Sequence, residues 1–572
     1  MFYGLTIVDY IVILAYMVGI TWVGMYAGRK VKTKDEYIIG DRKYGKFVMI
    51  LHSFAASTST SAIVGVASKT FSVGVSGIWY LWLYLFATPF FWLIAPIFRR
   101  LRALTTGDYF SMRFDKSVEL LYSLLGVIIQ ILIISVTIKA GGALVNGATQ
   151  GQIPAHIVMI VLSVVFVLYG VIGGIKSTMT TDIIQGLLTL VFSFMLIPFV
   201  LHEVGGMGGI REKIANPEVM LSIVAPAGSE ITIFYVIVLS FLTLVGNNTL
   251  PHIMGICATG KTEMEGRVAY TYGNYIKRVL SIPWTITALA AVVIFAGNGT
   301  IIPDNTFGLL ANRYLPPLFD GLMGLFLVTV VASILAGCNN AMISASSLFV
   351  ANVYKNYISA QASQKHYINV GRLAYVAISG LSLLVAFSFK DVTRGLVITW
   401  IVPAFLGIAF WLGWAWRRYN VPGAWASTIG AALLWMITTF DFFVQWISSL
   451  PFADSLHLVH NGEIHKPWVI LFFIFGGALL GIIVSLMTKP VEKTKLDNFY
   501  GLLRTPVDKP EVLEEPGKLP AGMEFAKERK LINHPQMEIQ KIPLKSIMGF
   551  IWAFLSVSVL VVLLWIIIHW MP

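Results

Sequence analysis

Tyr169-Gly170-Val171-Ile172-Gly173-Gly174-Ile175-Lys176, followed shortly by Thr181-Asp182-Ile183-Ile184-Gln185, is the stretch on which the fold of this chain turns. A glycine pair and a Thr-Asp-x-x-Gln group stand between two long apolar runs. Glycines let backbones approach closely inside a membrane, and a carboxylate at the mouth of an apolar segment is costly there unless it has a partner or a function. The rest of the chain has the same character. Of 572 residues, 57% are hydrophobic and 12% charged, with a mean hydropathy of +0.77, where soluble domains carry about 25% charged residues. A soluble core cannot absorb that much apolar surface, whereas lipid can. Runs of about 20 apolar residues read as spanning helices. They fall at roughly 5–27, 46–70, 74–98, 118–146, 154–174, 180–203, 231–257, 276–297, 320–353, 369–389, 395–416, 421–443, 467–487 and 547–570. This predicts an all-α polytopic membrane protein of about 14 transmembrane helices, in which 118–146 and 320–353 are long enough to extend beyond the bilayer.

The formal charge of +12 follows membrane topology rather than nucleic-acid binding. Loops after the odd-numbered segments hold 33 of the 41 Lys and Arg, among them Arg29, Lys30, Lys32, Lys34, Arg99, Arg100 and Arg102. The opposite loops hold Lys69, Arg211, Lys213, Arg313, Lys390, Arg394 and Lys466, and Lys139 falls inside a segment. The positive-inside bias then places both termini on the non-cytoplasmic side, with an even number of spans, in a plasma membrane. The first run lacks a basic n-region and reads as an anchor rather than a cleaved signal. Cys257 and Cys338 lie in or beside apolar segments and read as small core residues, not a disulfide.

Three regions fall outside the predicted bilayer. Residues 204–230 and 444–466 read as outer loops; His457, His460 and His465 in the second lack a carboxylate or cysteine framework and read as solvated loop rather than a transition-metal site. Residues 488–546 are basic and proline-rich, and read as a partly ordered cytoplasmic segment drawn to anionic lipid.

Glycine and proline punctuate several spans: Gly65 and Gly74 around the second, Gly246 and Pro251 in the seventh, Pro403 in the eleventh. Backbone groups freed in hydrocarbon need partners, so such breaks belong inside a bundle or beside a cavity. If segments two to six form one repeat and seven to eleven another, the breaks in two and seven are equivalent, as in inverted-repeat transporters. The second segment also carries Ser53 and the unbroken run Ser57-Thr58-Ser59-Thr60-Ser61, which suits a hard cation or a polar solute; packing by small residues explains only part of a run that covers every helix face.

Several motifs together resemble the sodium:solute symporter family over most of the chain. Besides the Gly-Gly and Thr-Asp-x-x-Gln group, Asp108-Tyr109-Phe110-Ser111-Met112-Arg113-Phe114 resembles the family's Asp-Tyr-Phe-x-x-Arg-Phe loop. Ser344-Ala345-Ser346-Ser347-Leu348-Phe349 resembles its Ser-Ala-Ser-Thr-Leu-Phe, with Val353-Tyr354-Lys355 after it, and Pro251-His252 resembles a pair in its proline-transporting branch. The resemblance implies a LeuT-type core of two inverted five-helix repeats and sodium-driven symport by alternating access. The expected division is an extra helix in 1–28, a ten-helix core in 46–417, two further helices in 421–487, the basic segment 488–546 and a last helix in 547–570.

Carried over residue by residue, the family's sodium site falls on the carbonyls of Ala55 and Thr58. Its two hydroxyl positions fall on Ala336 and Gly337, which have no side-chain oxygen. Ser333 is a candidate substitute, and Asp182 with Asn339 or Asn340 is a candidate second cation site; helix N-cap or gate residue is the structural alternative for Asp182. Sodium is the expected coupling ion and a proton the alternative; no other cofactor is implied. Ser57, Ser59, Thr60, Ser61, Trp82, Lys139, Asn247 and Asn248 are candidate solute ligands. Trp79, Tyr80 and Trp82 serve equally as an interfacial belt, and Lys139 as a snorkelling residue with no obvious acidic partner in the sequence. Where sugar-carrying relatives have a glutamate this chain has Leu81, and where the proline branch has an aspartate it has Ser57. The implied function is cation-coupled symport of a small polar organic solute, with proton-coupled or uncoupled transport and a transporter-like solute sensor as alternatives. An enzyme is not expected, because His252, His202 and Asp182 lack metal-ligand spacing. Expected partners are the solute and the lipid bilayer, not nucleic acid, and nothing in the sequence sets the oligomeric state.

Overall fold

A computed structural model describes residues 3–28, 45–103, 107–170, 175–226, 229–460, 462–511 and 517–571. Gly173, Gly174 and the basic cluster Arg29, Lys30, Lys32 and Lys34 lie outside the described residues, as do the side chains of Ser57 and Lys176. The described chain is helical apart from a hairpin that pairs Val459–His460 with Glu463–Ile464, and two isolated bridges. In chain order, the helices that matter below are α1 (Ile7–Gly28), α2 (Lys46–Ser57), α3 (Thr60–Val73), α4 (Thr88–Arg100), α5 (Lys116–Ala148), α6 (Ala155–Gly170), α7 (Ile175–Met195), α8 (Ile233–Gly246), α9 (Pro251–Ala258) and α10 (Glu263–Ile294). They continue with α11 (Leu322–Leu348), α12 (Gln364–Ser388), α13 (Val392–Ala415), α14 (Val421–Ile437), α15 (Lys466–Met487), α16 (Lys493–Arg504) and α17 (Leu544–Trp570).

Among the described residues, ten helices are long and apolar enough to cross a bilayer, or twelve if each of two bent pairs is one span. The expected fourteen is not confirmed by this count. Lys46–Ala55 and Ala155–Leu168 are apolar but shorter than a span as described, and three other runs differ from their expected form. Run 74–98 is divided: Gly74 has φ +79, and a Cβ there would lie 2.1 Å from the Met220 carbonyl oxygen, so the chain turns through Gly74–Ile78 and Trp79–Trp82 before α4 begins. Run 421–443 bends by 77° after Ile437. Run 276–297 starts too late, because Thr262 and Glu265 form a capping box that begins α10 at Glu263. Lys277 and Arg278, at the start of that run, therefore lie in the middle of the helix. α5 is capped by Asp115, which accepts from Ser117 N and Val118 N. At 33 residues it is about 50 Å long, well beyond a ~30 Å hydrocarbon core.

The helices sort by environment. The spans containing α3, α10, α11 and α13 are mostly covered by protein, whereas only 17% of α1 is. α1, α12, α15 and α17 turn Leu14, Leu384, Phe475 and Val559 outward, each 60–66% exposed, as lipid-facing helices do. Residues 204–230 hold two short helices, Gly206–Lys213 and Pro217–Met220.

Two expectations are corrected in detail. The interruption near Gly65 is at Thr58–Ser59 instead; Gly65 lies inside α3, where Leu396 occupies the space of a Cβ. Pro403 does not end its helix: α13 runs through it, and the Pro403 carbonyl accepts from Thr249 Oγ1 at 2.9 Å. Segment 488–546 is not a loose surface tract where it is described. α16 buries Leu496, Phe499, Tyr500 and Leu503, Glu511 pairs with Arg102 at 2.8 Å, and the fully buried carboxylate of Glu538 accepts from Arg417 at 2.6 Å.

Candidate functional site

Two discontinuous helices place the site. Between α2 and α3, Thr58 and Ser59 are extended, and Thr58 N–H donates to the Ala55 carbonyl at 3.2 Å. Between α8 and α9, Asn247–Thr249 forms a single tight turn and Leu250 is extended, so the axis bends by 64°. Pro251 at the first turn of α9 lacks the N–H that would have continued the helix, which is why the break falls there. The two breaks flank a cavity of about 120 Å³. Its lining includes Ser59 and Ser61 from the first break, Asn247 and His252 from the second, and Lys277 and Arg278 from the middle of α10. Tyr80 and Trp400 also line it and meet edge to face at 5.2 Å.

α11 runs beside the first break. Ser333 Oγ and Thr60 Oγ1 are 2.5 Å apart, and Ser333 also donates to the Val330 carbonyl at 2.9 Å. One turn on, Gly337 faces Ser59: a Cβ at Gly337 would stand 3.3 Å from Ser59 Cβ. Ala336 accepts from Asn340 through its carbonyl at 3.0 Å. The break thus gathers Ala55, Thr58, Thr60 and Ser333, with no hydroxyl at 336 or 337.

A second polar centre lies along the same helices. Asp182 is fully buried inside α7, eight residues from its described start, so it is not an N-cap. Its Oδ2 accepts from Asn340 Nδ2 at 2.9 Å and lies 2.9 Å from His52 Nδ1. Asn339 Oδ1 accepts from Tyr375 at 2.8 Å. Asp182 Oδ1 and both amide atoms of Gln185 are buried with no partner. Gly186 packs against Ala55, with 3.2 Å between the two Cβ positions, which joins this centre to the first break.

The remaining sequence candidates are more scattered. Trp82 is buried behind the cavity and donates from Nε1 to the Arg278 carbonyl at 3.2 Å. Asn248 donates to the Leu244 carbonyl at 3.2 Å, and its Oδ1 has no partner. Asn247 donates to Tyr270 Oη at 2.6 Å. Lys139 is half-buried on α5, outside the cavity lining, and its charge acts on Asp304, the acidic neighbour that sequence distance concealed. His252, Lys277 and Arg278 were not among the sequence candidates. The signal that would have found the last two is a pair of adjacent cations in the middle of a capped 32-residue helix. Among the described residues no cluster of His, Cys, Asp or Glu could hold a metal ion.

Both ends of the bundle are latched. On the side of the loop before α8, Glu230 accepts from Lys69 at 2.6 Å and Lys466 at 3.3 Å. Burial on its own would raise the Glu230 carboxyl, but the two lysines outweigh it and hold it below the usual carboxylate range. At the opposite end, Arg100 Nε donates to Glu263 at 2.6 Å. The Asp-Tyr-Phe motif forms a short helix, Gly107–Arg113, whose buried Arg113 donates to the carbonyls of Gly413, Trp416 and Tyr419 at 2.6, 2.9 and 2.9 Å.

Comparison with known proteins agrees with this architecture. The osmoregulated proline transporter OpuE of Bacillus subtilis is 26% identical over 441 residues, covering 74% of this chain and 87% of the relative. The sodium/pantothenate symporter of Escherichia coli is 24% identical, covering 78% and 93%. Rabbit (Oryctolagus cuniculus) sodium/glucose cotransporter 1 is 23% identical, covering 87% and 81%. Among solved structures, a sodium-coupled sialic acid symporter in a substrate-bound outward-open state superposes with a TM-score of 0.68 at 17% identity, covering 85% of this chain and 99% of its own. That likeness makes the fold LeuT-type, and all these relatives are transporters rather than enzymes. The profile of the sodium:solute symporter family matches residues 37–430, more than half of the sequence, and this chain belongs to that family.

Proposed function

We propose that the chain is a secondary active transporter that carries a small polar organic solute through the central cavity, coupled to sodium, by alternating access. The observation that carries this reading is the cavity's position between two helix breaks, with polar side chains from both breaks and the Thr60–Ser333 pair beside it. Discontinuous helices expose backbone dipoles and carbonyls to a midplane site, which is the arrangement that holds a solute and an ion together. The sodium ion, as cargo, would take carbonyls of Ala55 and Thr58 and the Ser333 hydroxyl, with Asp182, Asn339 and Asn340 as a second set of oxygens. The protein would lie in the plasma membrane with both termini on the non-cytoplasmic side and segment 488–546 in the cytoplasm.

The test is uptake into proteoliposomes across a solute panel, with sodium and proton gradients imposed separately. Sodium-driven accumulation supports the proposal. Accumulation driven by protons alone, or downhill flux indifferent to both ions, would replace it with the second reading, proton-coupled or uncoupled transport, which the lack of a side-chain oxygen at Ala336 and Gly337 favours. Solute binding without flux would make the protein a sensor.

A further inference from the structure

The central cavity is lined by a buried guanidinium and, among the described residues, by no carboxylate. Lys277 and Arg278 both line it, and no Asp or Glu does among the described residues. Both are nearly fully buried, at 8% and 1% exposure, halfway along a helix that crosses the membrane. Arg278 Nη2 donates to Asn274 Oδ1 at 3.1 Å, while Nε and Nη1 have no partner among the described residues. Its guanidinium stands 5.2 Å from the ring centroid of Tyr84, another lining residue, and its carbonyl is fixed by Trp82. The groups acting electrostatically on Arg278 are the phenols of Tyr84, Tyr275 and Tyr270, not a carboxylate. A buried guanidinium with two open donors is costly in a membrane interior, and an anion in the cavity would complete it. Guanidinium is also the side chain best suited to a planar carboxylate.

The rest of the lining describes the other end of the ligand. Leu81, Ile133, Val136, Leu250, Ile253 and Leu396 are apolar. A space of about 120 Å³ accommodates on the order of ten water-sized groups. Resting on the reading of this cavity as the transport site, we propose that the solute is a small organic carboxylate of about ten non-hydrogen atoms or fewer. Its carboxylate is held by Arg278, with the apolar wall around its body.

The test compares acids with their uncharged counterparts on the full-length purified protein. Thermal unfolding is followed in sodium and in choline buffer with acetate, lactate, pyruvate, succinate and 2-oxoglutarate. Lactamide, succinamide, glucose, chloride and inorganic phosphate serve as controls. At least one carboxylate should raise the unfolding temperature while its amide does not, and Arg278→Gln should weaken that binding by about tenfold or more, with Arg278→Lys in between. No response to any carboxylate, an equal response to acid and amide, a response to inorganic anions alone, or an unchanged response in folded Arg278→Gln overturns the inference. If Arg278→Gln does not fold, the comparison of acid with amide on the unaltered protein decides. Uptake of a neutral solute in place of the carboxylates would overturn the anion site and leave transport standing. Carboxylate binding without uptake would do the reverse.

Discussion

Ser333→Ala and Thr60→Val should shift the sodium dependence of transport in opposite directions. The Ser333 and Thr60 hydroxyls are 2.5 Å apart, and at 1% and 0% exposure neither can turn to water. If Ser333 stands in for the hydroxyls missing at Ala336 and Gly337, an arriving sodium ion has to take that oxygen away from Thr60. A buried neutral hydrogen bond is worth about 0.5–1.5 kcal/mol net. Thr60→Val preserves shape and releases Ser333, so half-saturating sodium should fall by about 2- to 10-fold. Ser333→Ala removes an oxygen from an ion that already has few; interactions with charged groups run to about 1.5–3 kcal/mol, a rise of about 10- to 150-fold. The assay is initial uptake against sodium concentration in proteoliposomes, normalised to protein inserted. A weakening in both variants would mean that Thr60 is itself a ligand, and an unchanged Ser333→Ala would mean that α11 contributes no oxygen. Either result refutes the reasoning.

Three further outcomes follow from geometry elsewhere. Glu230→Gln should loosen the Lys69–Glu230–Lys466 clasp by about fivefold or less, since partly exposed pairs contribute about 0–1 kcal/mol each; the labelling rate of a cysteine placed at Thr399 in the cavity reads it out. The same clasp has a signed pH dependence. Because the Glu230 carboxyl is held low, its contribution is complete above the ordinary glutamate value of 4.5 and is lost as the pH falls below it, so labelling should accelerate only in acid. Arg113→Lys should lower the unfolding temperature markedly, because one ammonium cannot serve three carbonyls spread over Gly413, Trp416 and Tyr419, and a loss of about 3 kcal/mol is expected. Gly407→Ala should abolish stable protein, since its Cβ would lie 2.1 Å from the Val245 carbonyl oxygen, backbone that cannot move aside; size-exclusion chromatography of the variant checks this.

What was readable in the sequence was whatever hydropathy and backbone chemistry express locally. The break before Pro251 was visible because proline removes a donor, and the polar run 57–61 marked the other break even though Gly65, the residue first connected with it, turned out to be a packing position. Asp182 stood out as a carboxylate among apolar neighbours and is indeed buried. Lys277 and Arg278 escaped because they stood at the start of an apolar run: with Lys261 and Arg267 upstream they resembled the end of a basic loop, and only the cap at Thr262 moves them to the middle of a helix. Lys139 drew attention for the converse reason, a charge alone in an apolar run, yet the residue it acts on, Asp304, is far along the chain. The contacts of segment 488–546 were not legible because its composition is that of a surface, while its partners are the motif around Arg113 and the end of α13, which only folding brings near.

That segment has a mechanical consequence. It is fastened to the end of α4 through Arg102–Glu511, to the start of α10 by Glu263 N–H donating to the Val507 carbonyl at 3.1 Å, and to the end of α13 by Tyr500 donating to Gly413 at 2.7 Å and by Arg417–Glu538. α17 then begins where Ser546 accepts from Arg267 at 2.7 Å. A tether with fixed attachment points on three helix ends sets a maximum stroke for their separation. Any rearrangement that parts them must either carry the tether as a passenger of one moving body or break its anchors in every cycle. In the second case the tether is a brake, felt as turnover rate and not as solute affinity, and cutting it by limited proteolysis would speed the cycle.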